Sequence, residues 1–267
     1  MNQPWQAPAY LVDLDGTLVS DGKPLPGAKR LLALIQDRFV LVSNDAEHTP
    51  AQLARLLAGI GLSIEAGRIL LAGTCALDLI ARERPGARVM LLGSAALRRY
   101  GERLGLAMTT RDPDIVLVGR DRSFTYAKLS MAANAVREGA NLIAANPDLT
   151  HPGRGGAVVP ETGALLAAIL ACTGAVPYRI IGKPEPELFA CALALLAVPA
   201  SQAVMVGDNP RTDGAGARRL GMRYFAIEPG RPLDVSVGLN RSIPLVPAKA
   251  GDPGSRKERS GFPLARE

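Results

Sequence analysis

Short runs of consecutive apolar residues alternate with helix-length segments along most of this 267-residue chain. The runs include AYLVDL from Ala9, FVLVSN from Phe39 and AVMVGD from Ala203, and none of them alternates apolar with polar residues. Strands with this composition are covered by helices on both faces, as in a parallel sheet. The segment PAQLARLLAGIGL, which starts at Pro50, is typical of the helices that connect such strands. The pattern therefore predicts an α/β fold with a parallel sheet, built from right-handed βαβ units.

Composition and charge exclude several functional classes. The formal net charge is +6, but residues 241–267 carry six basic and three acidic side chains, so half of the excess lies there. Only 4% of the residues are aromatic, and no compact basic patch precedes that segment, so nucleic-acid binding is not expected. The longest apolar stretch is shorter than the roughly 20 residues that a membrane-spanning helix needs, so no membrane contact is expected.

The cysteines and the N-terminus predict a compartment. Cys75, Cys172 and Cys191 are scattered along the chain and show no C-x-x-C spacing. Such a set is typical of buried free thiols in a reducing compartment. The N-terminus lacks the basic and apolar regions of a signal peptide. These features together predict a cytoplasmic protein.

Four of the apolar runs end in polar or charged residues. These residues are Asp13 with Asp15, Ser43 with Asn44, Lys183, and Asp208 with Asp213. If the four strands are neighbours, the side chains meet at the carboxyl edge of one sheet, where open α/β sheets bind ligands. Carboxylates beside other oxygen donors suit a hard cation, and Mg²⁺ is the expected choice. Such an ion would neutralise the crowded acids and keep them ionised.

The same group of side chains suits a phosphoryl group. Phosphoryl oxygens need cations and hydrogen-bond donors, above all in the transition state. One aspartate can attack phosphorus and form an aspartyl-phosphate. A second acid two residues away can protonate the departing alcohol and then deprotonate the hydrolytic water. A turn at Gly16 would aim that second acid past the nucleophile.

Four motifs, in this order, resemble those of the haloacid dehalogenase (HAD) superfamily. They are D-x-D-G-T at 13–17, S-N at 43–44, G-K-P at 182–184 and G-D-x-x-x-T-D at 207–213. The long insertion between the second and third motifs resembles the class II (C2) cap of that superfamily. Within it, A-N-P-D at 145–148 and G-G-A at 155–157 resemble subclass IIA, the NagD-like branch that includes 4-nitrophenyl phosphatases.

The resemblance implies a Rossmann-like core with an inserted α/β cap domain. The expected boundaries are 1–72 for the first part of the core, 73–174 for the cap and 175–234 for the second part of the core. Residues 235–267 are rich in proline, glycine and charge without sustained periodicity. They are predicted to form a disordered tail.

Carried over position by position, the resemblance assigns the phosphoryl chemistry to five residues. Asp13 would be the nucleophile and a Mg²⁺ ligand. Asp15 would be the general acid–base and would bind Mg²⁺ through its backbone carbonyl. Ser43 would hydrogen-bond the phosphoryl oxygens with help from Asn44. Lys183 would hold the phosphoryl group and the nucleophile in place.

The remaining site residues support the metal or the substrate. In the resemblance, Asp208 binds Mg²⁺ directly, Asp213 supports the metal shell or holds the motif lysine, and Asn209 adds an outer contact. In the cap, Asn146 and Asp148 are candidate substrate contacts. An Asx turn before the intervening proline explains these two residues equally well.

The implied function is that of a Mg²⁺-dependent phosphatase for a small phosphomonoester. Sugar phosphates, nucleotides, phosphoglycolate and pyridoxal phosphate all stay open as substrates. Two alternatives are a phosphotransferase that uses the same site and a catalytically weak, metabolite-binding protein with the HAD fold. A large cap argues against macromolecular substrates, so a small phosphorylated metabolite is the expected partner. A homodimer formed through the cap is one option for its assembly.

The chain departs from the family pattern at a few positions. Asp45 adds an acid where relatives often carry a small residue, and it is expected to disfavour some anionic substrates. Gly214 stands where an apolar residue is usual. After the MRYFAI segment the family normally adds a strand and a helix, which the remaining sequence does not predict. The two histidines are interpreted as a helix-start residue, His48, and an ordinary loop residue, His151.

Overall fold

A computed structural model describes residues 7–228 of this protein. The predicted disordered tail, residues 235–267, lies outside the described residues. Residues 229–234, at the end of the predicted second core segment, also lie outside them.

Strands and helices alternate along the described part of the chain. In chain order, its strands are β1 (Ala9–Val12), β2 (Val19–Ser20), β3 (Lys23–Pro24), β4 (Phe39–Ser43), β5 (Ile69–Leu71), β6 (Arg88–Leu92), β7 (Ala107–Met108), β8 (Ile115–Val118), β9 (Asn141–Ala144), β10 (Thr150–Pro152), β11 (Val158–Pro160), β12 (Tyr178–Ile180), β13 (Ala203–Gly207) and β14 (Arg223–Ala226). The α-helices are α1 (Ala28–Ile35), α2 (Pro50–Gly59), α3 (Ala72–Glu83), α4 (Ala95–Arg103), α5 (Tyr126–Arg137), α6 (Thr162–Thr173), α7 (Pro186–Leu196) and α8 (Ala215–Arg219). None of these helices combines the length and the apolar character required to span a bilayer.

Within residues 7–228, the first sheet has five parallel strands in the order β14-β13-β1-β4-β5. β1 lies in the middle, where Val12 pairs with Val206 of β13 and with Leu41 of β4. Every residue of β1, β4 and β13 is buried, as expected for strands covered on both faces. The prediction of a parallel α/β sheet is therefore confirmed, and the carboxyl ends of its strands meet at one edge.

A second parallel sheet has the order β12-β9-β8-β6-β7. Val136 of α5 and Ile169 of α6 belong to the buried cluster on one of its faces. The other face shares a hydrophobic core with the first sheet, because Leu11 of β1, Leu77 of α3 and Leu117 of β8 belong to one buried cluster. α3 therefore joins the two sheets through packing as well as through the chain.

The strand Tyr178–Ile180 belongs to the second sheet, and its prediction as a neighbour in the first sheet was wrong. Its residues pair in register with Leu142 to Ala144 of β9. The next two residues continue this contact, since the backbone N–H of Gly182 donates to the carbonyl of Ala145 at 2.7 Å. The predicted boundary at residue 175, where the chain was expected to re-enter the core domain, therefore precedes β12, which still belongs to the second sheet. A short apolar run is compatible with either sheet, and only the pairing partner distinguishes them.

Local capping explains where the helix beside the strand end of β4 begins. α2 starts at Pro50, as predicted, because proline suits the first helical position. The Thr49 side chain accepts a hydrogen bond from the backbone N–H of Gln52, and the Gln52 side chain accepts one from the backbone N–H of Thr49. This reciprocal pair satisfies two backbone donors that the helix would otherwise leave unpaired. The capping box thereby fixes the end of the β4–α2 loop that adjoins α2.

Candidate active site

The carboxyl edge of the first sheet gathers the side chains of three neighbouring strands. Asp13 directly follows β1, Ser43 is the last residue of β4, and Asp208 directly follows β13. The backbone N–H of Asp13 donates to the carbonyl of Val206 at 2.9 Å, so the ladder extends to the aspartate itself. Because all the strands are parallel, these polar groups lie at one end of the sheet.

Lys183 lies at the centre of this edge. Its Nζ lies 2.5 Å from Oδ1 of Asp13, 2.8 Å from Oδ1 of Asp213 and 3.2 Å from the carbonyl oxygen of Val42. Only 4% of the lysine side chain is exposed. Burial alone would lower the pKa of Lys183, but the two carboxylates outweigh that effect and raise it. The side chain is therefore a buried ammonium ion whose charge two acids compensate.

Three carboxylates form a cluster that can hold a cation. One oxygen each from Asp13, Asp208 and Asp213 lies within 4.8 Å of the others. Loss of hydration raises the pKa of Asp213 to about 7, and it also raises the pKa of Asp208, with the nearby charge of Asp13 adding to both effects. A divalent cation would relieve this crowding, and carboxylate oxygens are the ligands that such hard cations prefer.

Two glycines allow the carboxylates to come this close. Gly16 has a φ of 79°. A Cβ added there would lie 2.1 Å from Oδ2 of Asp208. A Cβ added to Gly207 would lie 2.1 Å from Oδ2 of Asp213. Both glycines belong to the motifs found in the sequence. A side chain at either position would occupy the space that a carboxylate fills.

Asp15 lies beside the cluster and is exposed to solvent. The protein around its carboxyl group removes part of its hydration, and the charges of Asp13 and Asp45 lie nearby. These effects raise the pKa of Asp15 to about 6. An acid with such a pKa can both give and take a proton near neutral pH.

The Asp13 carboxylate has a second neighbour on the same turn. Thr17, which is buried, donates its hydroxyl to Oδ2 of Asp13 at 3.1 Å and so orients that carboxylate.

Asn44 connects the two sheets through its side chain. Its Oδ1 accepts from the backbone N–H of Lys183 at 2.8 Å, and its Nδ2 donates to the Lys183 carbonyl at 3.0 Å. The same Nδ2 donates to Oδ2 of Asp148 at 3.0 Å. A Cβ on Gly182 would lie 2.5 Å from Oδ1 of Asn44. The amide therefore holds the lysine loop, a positioning task that the sequence did not indicate.

Ser43 is buried at the end of β4 and faces the start of the next loop. Its Oγ accepts a hydrogen bond from the backbone N–H of Asp45 at 3.1 Å. A hydroxyl that accepts in this way still has its own proton to donate. Ser43 is therefore suited to donate to an anionic oxygen at this edge.

Asn146 and Asp148 join the second sheet to the loop after β4. Asn146 is buried, and its Nδ2 donates to the carbonyl of Asn44 at 2.5 Å. Its Oδ1 accepts from the backbone N–H of Asp148 at 3.0 Å, which is the contact of an Asx turn. Burial raises the pKa of Asp148. Both side chains bond within the protein, and substrate contact by either of them stays a prediction.

Asn209 and Asp213, the two residues predicted to support the metal, lie on the turn after β13. The backbone N–H of Asn209 donates to Oδ2 of Asp213 at 3.2 Å, and the Asn209 side chain accepts from the backbone N–H of Arg211 at 2.9 Å. Asn209 therefore helps to shape the turn that carries Asp213. Asp213 itself is fully buried.

The extra acid Asp45 is compensated by its neighbour. Oδ2 of Asp45 lies 2.7 Å from Nδ1 of His48, and Oδ1 accepts from the backbone N–H groups of Glu47 and His48. Burial alone would raise the pKa of Asp45, but the His48 contact lowers it. The hydrogen bond that His48 donates to Asp45 raises the pKa of His48 in turn. Asp45 is therefore paired with His48, a partner that the sequence alone did not indicate.

Several charged side chains next to the site form consecutive ion pairs that the sequence did not indicate. Arg120 pairs with Glu47 at 3.0 Å and with Glu161 at 3.2 Å, and Glu161 lies 2.6 Å from Nδ1 of His151. His151 acts on Asp15, since its charge lowers the pKa of that acid. The partners come from distant parts of the sequence, so no local spacing could have indicated them.

Comparisons with known proteins agree with this fold. A family model described as haloacid dehalogenase-like hydrolase matches residues 10–107, and a second HAD-hydrolase-like model matches residues 180–234. The chain is 31% identical over 232 residues to a dihydroxyacetone phosphatase of Corynebacterium glutamicum, covering 86% of this chain and 84% of that one.

Two solved structures of similar proteins have the same fold. A 4-nitrophenylphosphatase from Thermotoga maritima superposes with a TM-score of 0.79 at 28% identity, covering 84% of this chain and 87% of that one. A glycerol phosphate phosphatase from Mycobacterium tuberculosis, solved in complex with calcium, gives a TM-score of 0.78 at 32% identity. That match covers 85% of this chain and 67% of the other.

These findings, together with the carboxylate edge, define the class. The chain belongs to the haloacid dehalogenase-like hydrolases, and it is a phosphatase of the branch that holds NagD and the 4-nitrophenyl phosphatases. The resemblance of its four motifs to that superfamily is therefore confirmed.

Proposed function

We propose that this protein is a Mg²⁺-dependent phosphatase that hydrolyses a small, three-carbon phosphomonoester through an aspartyl-phosphate on Asp13. The observation that carries the proposal is the buried Nζ of Lys183, which contacts both Asp13 and Asp213 beside a third carboxylate, Asp208. An ammonium ion and an acidic cluster at one sheet edge match the charges of a phosphoryl group and its metal. The names of the similar phosphatases for dihydroxyacetone phosphate and glycerol phosphate support the substrate class.

The acidic cluster is the proposed Mg²⁺ site. Asp13 and Asp208 would hold the ion through their carboxylates and Asp15 through its backbone carbonyl, while Asp213 supports the site through Lys183. When bound, the ion supplies positive charge that stabilises the phosphoryl oxygens and keeps the crowded acids ionised. The calcium complex of the similar glycerol phosphate phosphatase supports a divalent cation in this class.

The first chemical step falls to Asp13 and Asp15. The Asp13 carboxylate, held by Lys183 and by the Thr17 hydroxyl, attacks phosphorus as the bond to the leaving oxygen breaks. Protonated Asp15 gives its proton to that oxygen, so the product leaves as a neutral alcohol. Ser43 and Lys183 are proposed to bind the phosphoryl oxygens, with help from the backbone of Asn44.

The second step uses the same acid in reverse. Ionised Asp15 takes a proton from water, and the water oxygen attacks the phosphorus of the aspartyl-phosphate. The bond between phosphorus and Asp13 breaks, which restores the free carboxylate and releases inorganic phosphate. A pKa raised to about 6 lets Asp15 serve both steps near neutral pH.

Phosphate release from a panel of metabolites tests the function. We expect Mg²⁺-dependent release from glycerol phosphate and dihydroxyacetone phosphate to exceed that from a hexose phosphate, a nucleotide, phosphoglycolate and pyridoxal phosphate, and EDTA to abolish it. Adding an alcohol as acceptor distinguishes the alternative, since a phosphotransferase would form a new phosphomonoester in place of inorganic phosphate. Folded protein that releases no phosphate from any member of the panel with Mg²⁺ would overturn the proposal.

A further inference from the structure

Two cysteines from distant parts of the chain face each other in the core between the sheets. Cys75 lies on α3 and is buried, and Cys191 lies on α7 and is half-buried. Their sulfur atoms are 3.3 Å apart, with the Cys75 thiol donating to the sulfur of Cys191. The third cysteine, Cys172, is free and exposed. Neither member of the pair takes part in the phosphatase site described above.

We infer that Cys75 and Cys191 are a redox-modification site, which a peroxide converts to a reversible intramolecular disulfide. A disulfide bond is about 2.05 Å long, so the two sulfur atoms need to approach by only a little more than 1 Å. Rotation of the two side chains and a slight shift of two packed helices supply that movement. The inference is independent of the proposed substrate.

The environment of the pair gives the two thiols different roles. The hydrogen bond from Cys75 favours the thiolate of Cys191 and, against the effect of burial, lowers the pKa of Cys191 to about 7, with help from the charge of Arg82. The same hydrogen bond and burial raise the pKa of Cys75. The more accessible sulfur is therefore the thiolate that an oxidant meets first.

The chemistry needs one peroxide molecule for each disulfide. The Cys191 thiolate attacks a peroxide oxygen, an S–O bond forms as the O–O bond breaks, and the expelled oxygen leaves as water after taking up a proton. The sulfur of Cys75 then attacks the Cys191 sulfenic acid, so that the S–S bond forms, the S–O bond breaks and a second water leaves. The thiol pair loses two electrons, which the peroxide gains.

The position of the pair predicts what the disulfide does to the protein. α3 connects the first sheet to the second, and α7 starts at Pro186, shortly after Lys183. The bond would close a loop between residues that are 116 positions apart. Cross-links across loops of this length stabilise mainly by restricting the unfolded chain. The oxidised protein should therefore resist unfolding better than the reduced protein does.

Mass spectrometry and thermal unfolding of the full chain test the inference. After treatment with hydrogen peroxide and removal of excess oxidant, we expect the intact mass to fall by about 2 Da. We also expect one peptide pair linked through Cys75 and Cys191, and a melting temperature higher by about 5 °C. Dithiothreitol should reverse all three changes. Cys172→Ser is the matched control and should behave like the unaltered chain, whereas Cys191→Ser should show none of them.

Three outcomes would overturn the inference. One is an oxidised chain that keeps its reduced mass, and another is a gain of about 32 Da at Cys191, the mark of a sulfinic acid, without a linked peptide. The third is a disulfide that forms only between two Cys172 residues of separate chains. Because Cys75 is buried and its replacement can disturb folding, Cys191→Ser and Cys191→Ala carry the test.

Discussion

Lys183 shows how single residues balance charge in this site. A lysine with 4% of its side chain exposed would have a lowered pKa if it had no partner. Its three donors meet the carboxylates of Asp13 and Asp213 and the carbonyl of Val42. The carboxylates therefore keep Lys183 charged, and the lysine charge in turn lowers the pKa of Asp213 against the effect of burial.

The nucleophile assignment predicts the effect of Asp13→Asn. The amide keeps the shape of the side chain but is a far weaker nucleophile, so we expect phosphate release to fall about a thousandfold or more. Asp112→Asn is the matched control, because Asp112 is exposed and its φ of 43° suits asparagine. Initial rates and circular dichroism of both variants measure the effect. A rate for Asp13→Asn within tenfold of the unaltered enzyme would disprove the assignment.

The pair of His48 and Asp45 predicts a pH-dependent contribution to stability. Because the contact raises the pKa of His48, the stabilisation is complete below the ordinary histidine pKa of about 6.5 and is lost as the pH rises through the folded value. Because the same contact lowers the pKa of Asp45, that carboxylate stays ionised in this range. We expect His48→Gln to lower the free energy of unfolding by about 1 kcal/mol at pH 6.

Urea unfolding of His48→Gln and the unaltered protein at pH 6 and pH 9 measures this difference. The loss should shrink at pH 9, where His48 is neutral in both the folded and the unfolded state. An equal loss at both pH values would mean that the charge on the histidine contributes nothing.

At the scale of elements, the turn that follows β1 determines how closely the acids approach. Gly16 and Gly22 lie on the same segment around the β2–β3 hairpin, and both have positive φ, 79° and 69°. They differ in their surroundings, because a Cβ on Gly16 would meet the Asp208 carboxylate, whereas a Cβ on Gly22 would meet no atom of the described residues within 4 Å. Substitution of Gly22 therefore tests backbone strain alone, whereas substitution of Gly16 tests strain together with crowding against Asp208.

This contrast predicts different outcomes for Gly16→Ala and Gly22→Ala. Both alanines carry the strain of a left-handed backbone, about 1 kcal/mol. Only Gly16→Ala should also displace Asp208, so we expect it to lower kcat at least about a hundredfold and to raise the Mg²⁺ concentration needed for half-maximal rate. Steady-state kinetics across a Mg²⁺ titration measures both quantities. Similar kinetics for the two variants would show that the space beside Asp208 is unimportant.

At the scale of the whole molecule, the site is assembled from both sheets. The second sheet ends at β12, and the chain then passes through Gly182 to deliver Lys183 to the acids of the first sheet. Asn44 holds this passage by bonding both to Lys183 and to Asp148. The geometry of the site therefore depends on how the two sheets pack against each other.

Metal binding at the acidic cluster should stabilise this whole arrangement. A ligand present at a hundred times its Kd stabilises the folded state by about 2.7 kcal/mol, which corresponds to a rise in melting temperature of roughly 5–10 °C for a chain of this size. We expect saturating Mg²⁺ to produce such a rise in EDTA-treated protein. Asp208→Asn should lose most of the rise, and Asp112→Asn should keep it. An undiminished rise in Asp208→Asn would place the ion elsewhere.

The class of sheet and the residues at its edge could be predicted from the amino-acid sequence. Continuous apolar runs such as Phe39–Ser43 predict strands buried on both faces, and a residue such as Asp13 that directly follows a strand must lie at the sheet edge. Both inferences depend on short-range features of the chain. They needed no knowledge of which strands are neighbours.

The contacts between distant segments became known only from the folded structure. It placed Tyr178–Ile180 in the second sheet, turned Asn44 towards Asp148, and brought Cys75 to within 3.3 Å of Cys191. Contacts such as these join residues many positions apart, and their energies depend on the packing of surfaces that form only when both sheets are folded. A local pattern of residues does not indicate which distant surfaces will pack together, so the partners in these contacts could not be inferred from the sequence.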